Sequence, residues 1–85
     1  MKVTVLYFAR LREAVGRDRE MLELPAEVTT VGALRTWLVE RGAPWAEAFN
    51  EIRRIRAAVA QEMAADDTRL VDGAEVAFFP PVTGG

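Results

Sequence analysis

The one stretch of this 85-residue chain with the makings of a reactive group is its end, Phe78-Phe79-Pro80-Pro81-Val82-Thr83-Gly84-Gly85. The candidate is the α-carboxyl of Gly85. Glycine at positions 84 and 85 strips the end of side chains, so it can thread a narrow tunnel and accept a nucleotide phosphate or a nucleophile at close range. Pro80 and Pro81 hold the departing chain extended, and six residues at about 3.3 Å each carry the terminus up to roughly 20 Å beyond the last strand. An acyl group that another protein activates needs little else. Two terminal glycines arise by chance in roughly 0.5% of chains, and a frayed end or a cloning scar is the plain alternative.

The remaining residues point the same way by what they lack. There is no Cys, His or Ser and a single Lys, Lys2, which excludes thiolate or imidazole metal sites, Ser/His triads and Cys nucleophiles. Arg53, Arg54 and Arg56 sit among acidic neighbours in sequence and read as a solvated face. Asp66-Asp67 reads as a loop pair, and no metal site is expected. Eleven basic against thirteen acidic residues give a net charge of -2, the opposite of a nucleic-acid binder's footprint. With no cysteine for disulfides and no apolar run of about 18 residues, a soluble cytoplasmic protein away from membranes is the default. Hydrophobic residues at 51% and charged residues at 28% describe one globular domain with a single core.

That core must position the tail. Lys2 to Phe8 is β-branched and aromatic throughout and reads as a strand, with Val3, Val5 and Tyr7 on one face and Thr4, Leu6 and Phe8 on the other. Arg10 to Val15 reads as a short helix stopped by Gly16, and Arg19 to Leu24 as a second strand ended by Pro25. Thr30 caps the main helix, whose Val31, Leu34 and Leu38 recur at helical spacing up to Gly42, with Trp37 widening the apolar face. Pro44, Trp45 and Phe49 suggest an irregular turn that buries two aromatics. From Ile52 to Met63 the pattern fits either element, but Ile52, Ile55, Val59 and Met63 at helical spacing, with many alanines, favour a helix locally. Asp72-Gly73 signals a turn into a last strand, Glu75 to Phe79, with Val76 and Phe78 on one face and Ala77 and Phe79 on the other.

This order of elements with a glycine-glycine tail resembles the ubiquitin-like β-grasp fold. The run from Asp72 to Gly85 resembles the small, sulfur-carrying subunits of molybdopterin synthase (the MoaD type), and Val5 to Glu13, Thr30 to Leu34 and Ala57 to Gln61 extend the likeness over the whole chain. The resemblance implies an α+β fold: a mixed four- to five-stranded sheet with one main helix on one face, over residues 1–79, and an extended tail over 80–85. It also implies a strand and a turn where local pattern favours a helix. An Asn is usual in the family where Ala60 stands, and Ala tolerates a left-handed turn poorly.

The function implied is that of a non-catalytic sulfur carrier. A ubiquitin-activating-like enzyme adenylates Gly85 at the expense of ATP, a sulfurtransferase route converts the adenylate to a thiocarboxylate, and the large synthase subunit delivers the sulfur to a cyclic pyranopterin phosphate. No cofactor is held tightly by the carrier. A sulfur carrier for thiamine or another thio-cofactor, a ubiquitin-like protein modifier and an inert interaction domain remain alternatives. If Val3, Val5, Val76 and Phe78 face the helix, then Leu6, Phe8 and Phe79 point outward as an apolar partner site, with Arg12 at its rim. The alternative is that they pack under a loop.

Overall fold

The computed structural model describes residues 1–81. Eight elements follow in chain order: β1 (Lys2–Tyr7), α1 (Ala9–Val15), β2 (Arg19–Glu23), α2 (Val31–Glu40), α3 (Trp45–Glu51), β3 (Arg56–Val59), β4 (Glu62–Ala64) and β5 (Glu75–Phe79). The strands form one mixed sheet in the order β2-β1-β5-β3-β4. β1 and β5 run parallel at its centre, and the other pairs are antiparallel. This is the α+β, five-stranded arrangement expected.

Alternation on the strands sorts the two faces as the residue types require. Val3, Val5, Tyr7, Val76 and Phe78 are buried inward, where each large side chain contributes roughly 1.5–3 kcal/mol on leaving water. Against them pack Leu11 and Val15 of α1, Val31, Leu34 and Leu38 of α2, and Trp45 and Phe49 of α3. Phe49 and Phe78 meet edge to face at 5.4 Å between ring centroids. The Thr30 hydroxyl accepts a hydrogen bond from the Ala33 N–H at 3.1 Å and so caps α2. Gly16 at φ 85° ends α1, and Gly73 at φ 84° makes the turn before β5. There the Gly73 N–H donates to the Lys2 carbonyl, and the Lys2 N–H donates to the Asp72 carboxylate.

Two local expectations are corrected. The segment from Pro44 to Phe49 is not an irregular turn but the start of a helix, because Trp45, Ala48, Phe49 and Ile52 recur at i, i+3, i+4 and i+7 and all four are buried. The main helix therefore shares the inner face with two shorter ones. The helix favoured over Ile52 to Met63 is absent. Ile52 ends α3, Ile55 is buried in the connection, Val59 lies in β3, and Met63 is 60% exposed in β4. An apparently continuous stripe thus joins residues of separate elements. The strand and turn implied by the family are present instead: Ala57 and Ala58 pair with Phe78 and Ala77 of β5. Ala60 and Gln61 close the β3-β4 hairpin at φ 50° and 69°, the signs a type I′ turn demands.

Candidate functional site

The chain leaves the sheet from β5, its central strand. Tyr7 lies opposite Phe78 and Arg56 opposite Phe79, so the ends of β1 and β5 and the start of β3 share one edge with Pro80 and Pro81. The Phe8 N–H donates to the Phe78 carbonyl at 3.2 Å, which fixes the β1-to-α1 corner beside the exit. Ala9 at φ 53° then turns the chain into α1. Proline lacks the N–H that a ladder needs, so the pairing stops at Phe79.

The outward face of the sheet carries the predicted partner residues. Leu6 and Phe79 are half-buried and Phe8 is 45% exposed. Leu6 lies opposite Ala77, which lies opposite Ala58, which lies opposite Met63, so one apolar row crosses four strands. Phe8 and Phe79 extend it toward the exit. Arg12 is exposed on α1, and its N–H donates to the Phe8 carbonyl. Pro80 and Pro81 are half-buried and line a groove of about 690 Å³ together with Arg10, Glu51, Ile52 and Arg53. Val82, Thr83, Gly84 and Gly85 lie outside the described residues.

Beneath the sheet is a polar cluster that the residue pattern did not reveal. Glu20 of β2 is turned inward beside Val5 and is 8% exposed. Its Oε2 accepts from the Tyr7 hydroxyl at 2.6 Å and from Trp45 Nε1 at 3.1 Å, and its Oε1 accepts from Arg41 at 3.0 Å and Arg17 at 3.1 Å. The Arg41 guanidinium also lies 3.7 Å from the Trp45 ring centroid. Burial alone pushes the Glu20 carboxyl up, yet the hydrogen bonds from Tyr7 and Arg41, the Arg41 charge and the Trp45 N–H together hold it below its ordinary value. The cluster locks β1, β2, the end of α2 and the start of α3 together. A signal existed: Glu20, Leu22 and Leu24 share one face of the second strand, and Glu20 breaks their apolar alternation.

Arg35 and Asp66 pair at 3.4 Å, and among the described residues no group of three or more acidic side chains is placed to hold a metal ion. No helix of the described residues is long and apolar enough to cross a membrane. The described residues therefore present an apolar outer face and a tail exit, with their buried polar groups engaged in structure.

Known proteins resemble this chain in sequence or fold over nearly its whole length. The molybdopterin synthase sulfur carrier subunit of Escherichia coli (strain K12) is 46% identical over 83 residues, covering 98% of this chain and 99% of that one. The crystal structure of SAMP1 from Haloferax volcanii superposes with a TM-score of 0.78 at 27% identity over 100% of both chains. A putative molybdopterin converting factor, subunit 1, from Pyrococcus furiosus does so with a TM-score of 0.69 at 31% identity, over 96% of this chain and 99% of that one. The ThiS family pattern matches residues 5–85 and so includes the Gly84-Gly85 end. With nearly all of the sheet and the whole run from Glu75 to Gly85 in the matched span, the chain belongs to the ThiS family.

Proposed function

We propose that this protein is the sulfur carrier subunit of a molybdopterin synthase and that Gly85 is the atom-carrying residue. The observation that carries the reading is the 46% identity, end to end, with a relative of that name. In the first step the Gly85 carboxylate attacks the α-phosphorus of ATP within an adenylating enzyme, forming the acyl adenylate and releasing pyrophosphate. A sulfurtransferase-supplied persulfide then displaces AMP, and reduction of the resulting acyl disulfide by a thiol leaves the thiocarboxylate. The large synthase subunit takes up the tail, the thiocarboxylate sulfur bonds to a carbon of cyclic pyranopterin monophosphate, and water then hydrolyses the acyl–sulfur bond, leaving the sulfur on the acceptor and supplying the oxygen that restores the Gly85 carboxylate.

The carrier's own residues do no proton transfer in this cycle. Its work is mechanical: β5 anchors the exit, Pro80 and Pro81 stiffen the departure, and Leu6, Phe8 and Phe79 offer the apolar face for docking. The groups that bind phosphate and move protons belong to the partners, and the cytoplasm, where ATP is at hand, is the place of work.

The test is mass spectrometry of the C-terminal peptide after incubation with the adenylating enzyme, ATP and a sulfur source. The expected result is the mass change of one oxygen exchanged for sulfur. No change in the presence of a demonstrably active enzyme would refute the reading.

A further inference from the structure

We propose that Arg10, Arg53, Arg54 and Arg56 form a cationic collar around the base of the tail, and that it docks on a carboxylate-bearing rim of the large synthase subunit. The inference rests on the reading above in one respect only, that this subunit receives the tail. In sequence these arginines are split between two segments and sit beside acids. The fold gathers them. Arg10 and Arg53 line the groove that Pro80 and Pro81 also line, Arg56 stands opposite Phe79 in register, and Arg54 and Arg56 line the adjoining hollow of about 540 Å³.

Among the described residues none of their charges is held in an ion pair. The ion pairs among the described residues are those of the N-terminus with Glu23, Arg17 and Arg41 with Glu20, and Arg35 with Asp66. None involves the four collar residues, all of which are exposed. Glu51 is the lone acid lining the groove. Like charges held together repel, so such a grouping on a chain of net charge -2 is a cost to the isolated protein that an acidic partner relieves.

Acids outnumber bases at the far end of the strands: Glu23 lies opposite Lys2, Glu75 opposite Thr4 and Glu62 opposite Val59, and Asp72 accepts from the Lys2 N–H, against the cations of Lys2 and of the N-terminus, which pairs with Glu23. The described residues are therefore biased in charge along the strand direction, with Pro80 and Pro81 toward the basic end. An acidic rim would steer it in tail first, raising the rate of productive encounter. The four residues beyond Pro81 span about 13 Å at full extension, so the collar meets the rim of a pocket while the reacting end lies inside it. Continuity with Phe8 and Phe79 places the collar at the edge of the apolar docking face, where rim charges govern association rate.

The experiment measures the association rate with the large synthase subunit at low and high salt, for the intact chain and for the fourfold variant Arg10→Gln, Arg53→Gln, Arg54→Gln, Arg56→Gln. The expected result is a loss of about tenfold or more at low salt, a flattened salt dependence, and recovery when the same positions carry Lys. The double variant Arg10→Gln, Arg53→Gln should be slowed and Lys2→Gln, Arg69→Gln, of equal net charge, should not. Equal slowing by the two double variants would overturn the collar in favour of net charge. An unchanged association rate, or an effect seen only with the adenylating enzyme, RNA or anionic vesicles, would overturn it as well. Thiocarboxylate formation and sulfur transfer by the intact chain, measured in parallel, report on the carrier reading separately, so the collar can fail while that reading stands.

Discussion

The Tyr7 hydroxyl donates a 2.6 Å hydrogen bond to Glu20 Oε2 beneath the sheet, joining the inner strand β1 to the edge strand β2 at a carboxylate that Arg17, Arg41 and Trp45 also hold. Every buried side-chain nitrogen and oxygen among the described residues has a partner, so the cluster meets the condition under which buried charge is tolerated. Tyr7→Phe removes one donor to a charged acceptor and leaves the others. It is expected to cost about 2 kcal/mol, measured by urea unfolding, with the fold retained by circular dichroism. A cost below experimental error would mean that Glu20 is satisfied without Tyr7.

The same cluster sets the limits of stability in pH. Glu20 is held below its ordinary 4.5 in the folded protein. Its contribution is therefore complete above about that pH and is lost as pH falls from there through the lower folded value. Burial first, and then the hydrogen bond to Glu20 and its charge, push the Tyr7 hydroxyl above its ordinary 10.0. That contribution is complete below about pH 10 and is lost as pH rises through the higher folded value. Thermal melts should show the advantage of the intact chain over Glu20→Gln shrinking as pH drops below 4.5. The advantage over Tyr7→Phe should shrink above pH 10. Parallel pH profiles for intact chain and variants would contradict both statements.

At the β3-β4 hairpin, Ala60 adopts φ 50°, a conformation that costs a residue with a Cβ roughly 1–2 kcal/mol. Asn visits this region more readily and Gly enters it freely. Ala60→Asn is expected to stabilise the protein by about 0.5–1 kcal/mol. For a domain of this size the corresponding rise in melting temperature is roughly 2–8 °C. The measurement is differential scanning calorimetry, and a lower melting temperature would show that the turn is not left-handed at this position.

Phe79 points outward from β5 and is half-buried, so Phe79→Ala removes little from the core. If the outer face docks on the large synthase subunit as proposed, this truncation is expected to weaken binding to that subunit by about 2 kcal/mol or more, with the melting temperature little changed. Isothermal titration with the purified subunit measures this, and equal affinities would move the docking face elsewhere.

If the chain is the sulfur carrier proposed above, one residue added after Gly85 is expected to abolish sulfur loading while leaving the melt unchanged, since the proposed adenylation acts on the α-carboxyl of Gly85 itself. Loading that persists on the extended chain, read by mass spectrometry, would assign the chemistry to another group.

Sequence alone determined most of the elements. Alternation on Lys2 to Phe8 and Glu75 to Phe79 needs only two-residue periodicity to assign faces, while Thr30 and Gly16 mark helix ends and Gly73 the turn into the last strand through local backbone preferences. Trp45, Ala48, Phe49 and Ile52 carried a helical spacing in plain view, once the small alanine is counted with the aromatics. The stretch from Ile55 to Met63 was different. Its strands exist because β5 offers a paired edge and Gln61 shares a left-handed turn with Ala60, and that partner is supplied only by the folded chain. The Glu20 cluster and the arginine collar are tertiary in the same sense. Each joins residues that are separated along the chain, and whether a charge ends in a buried pair or on an exposed edge depends on which segments the sheet order brings side by side.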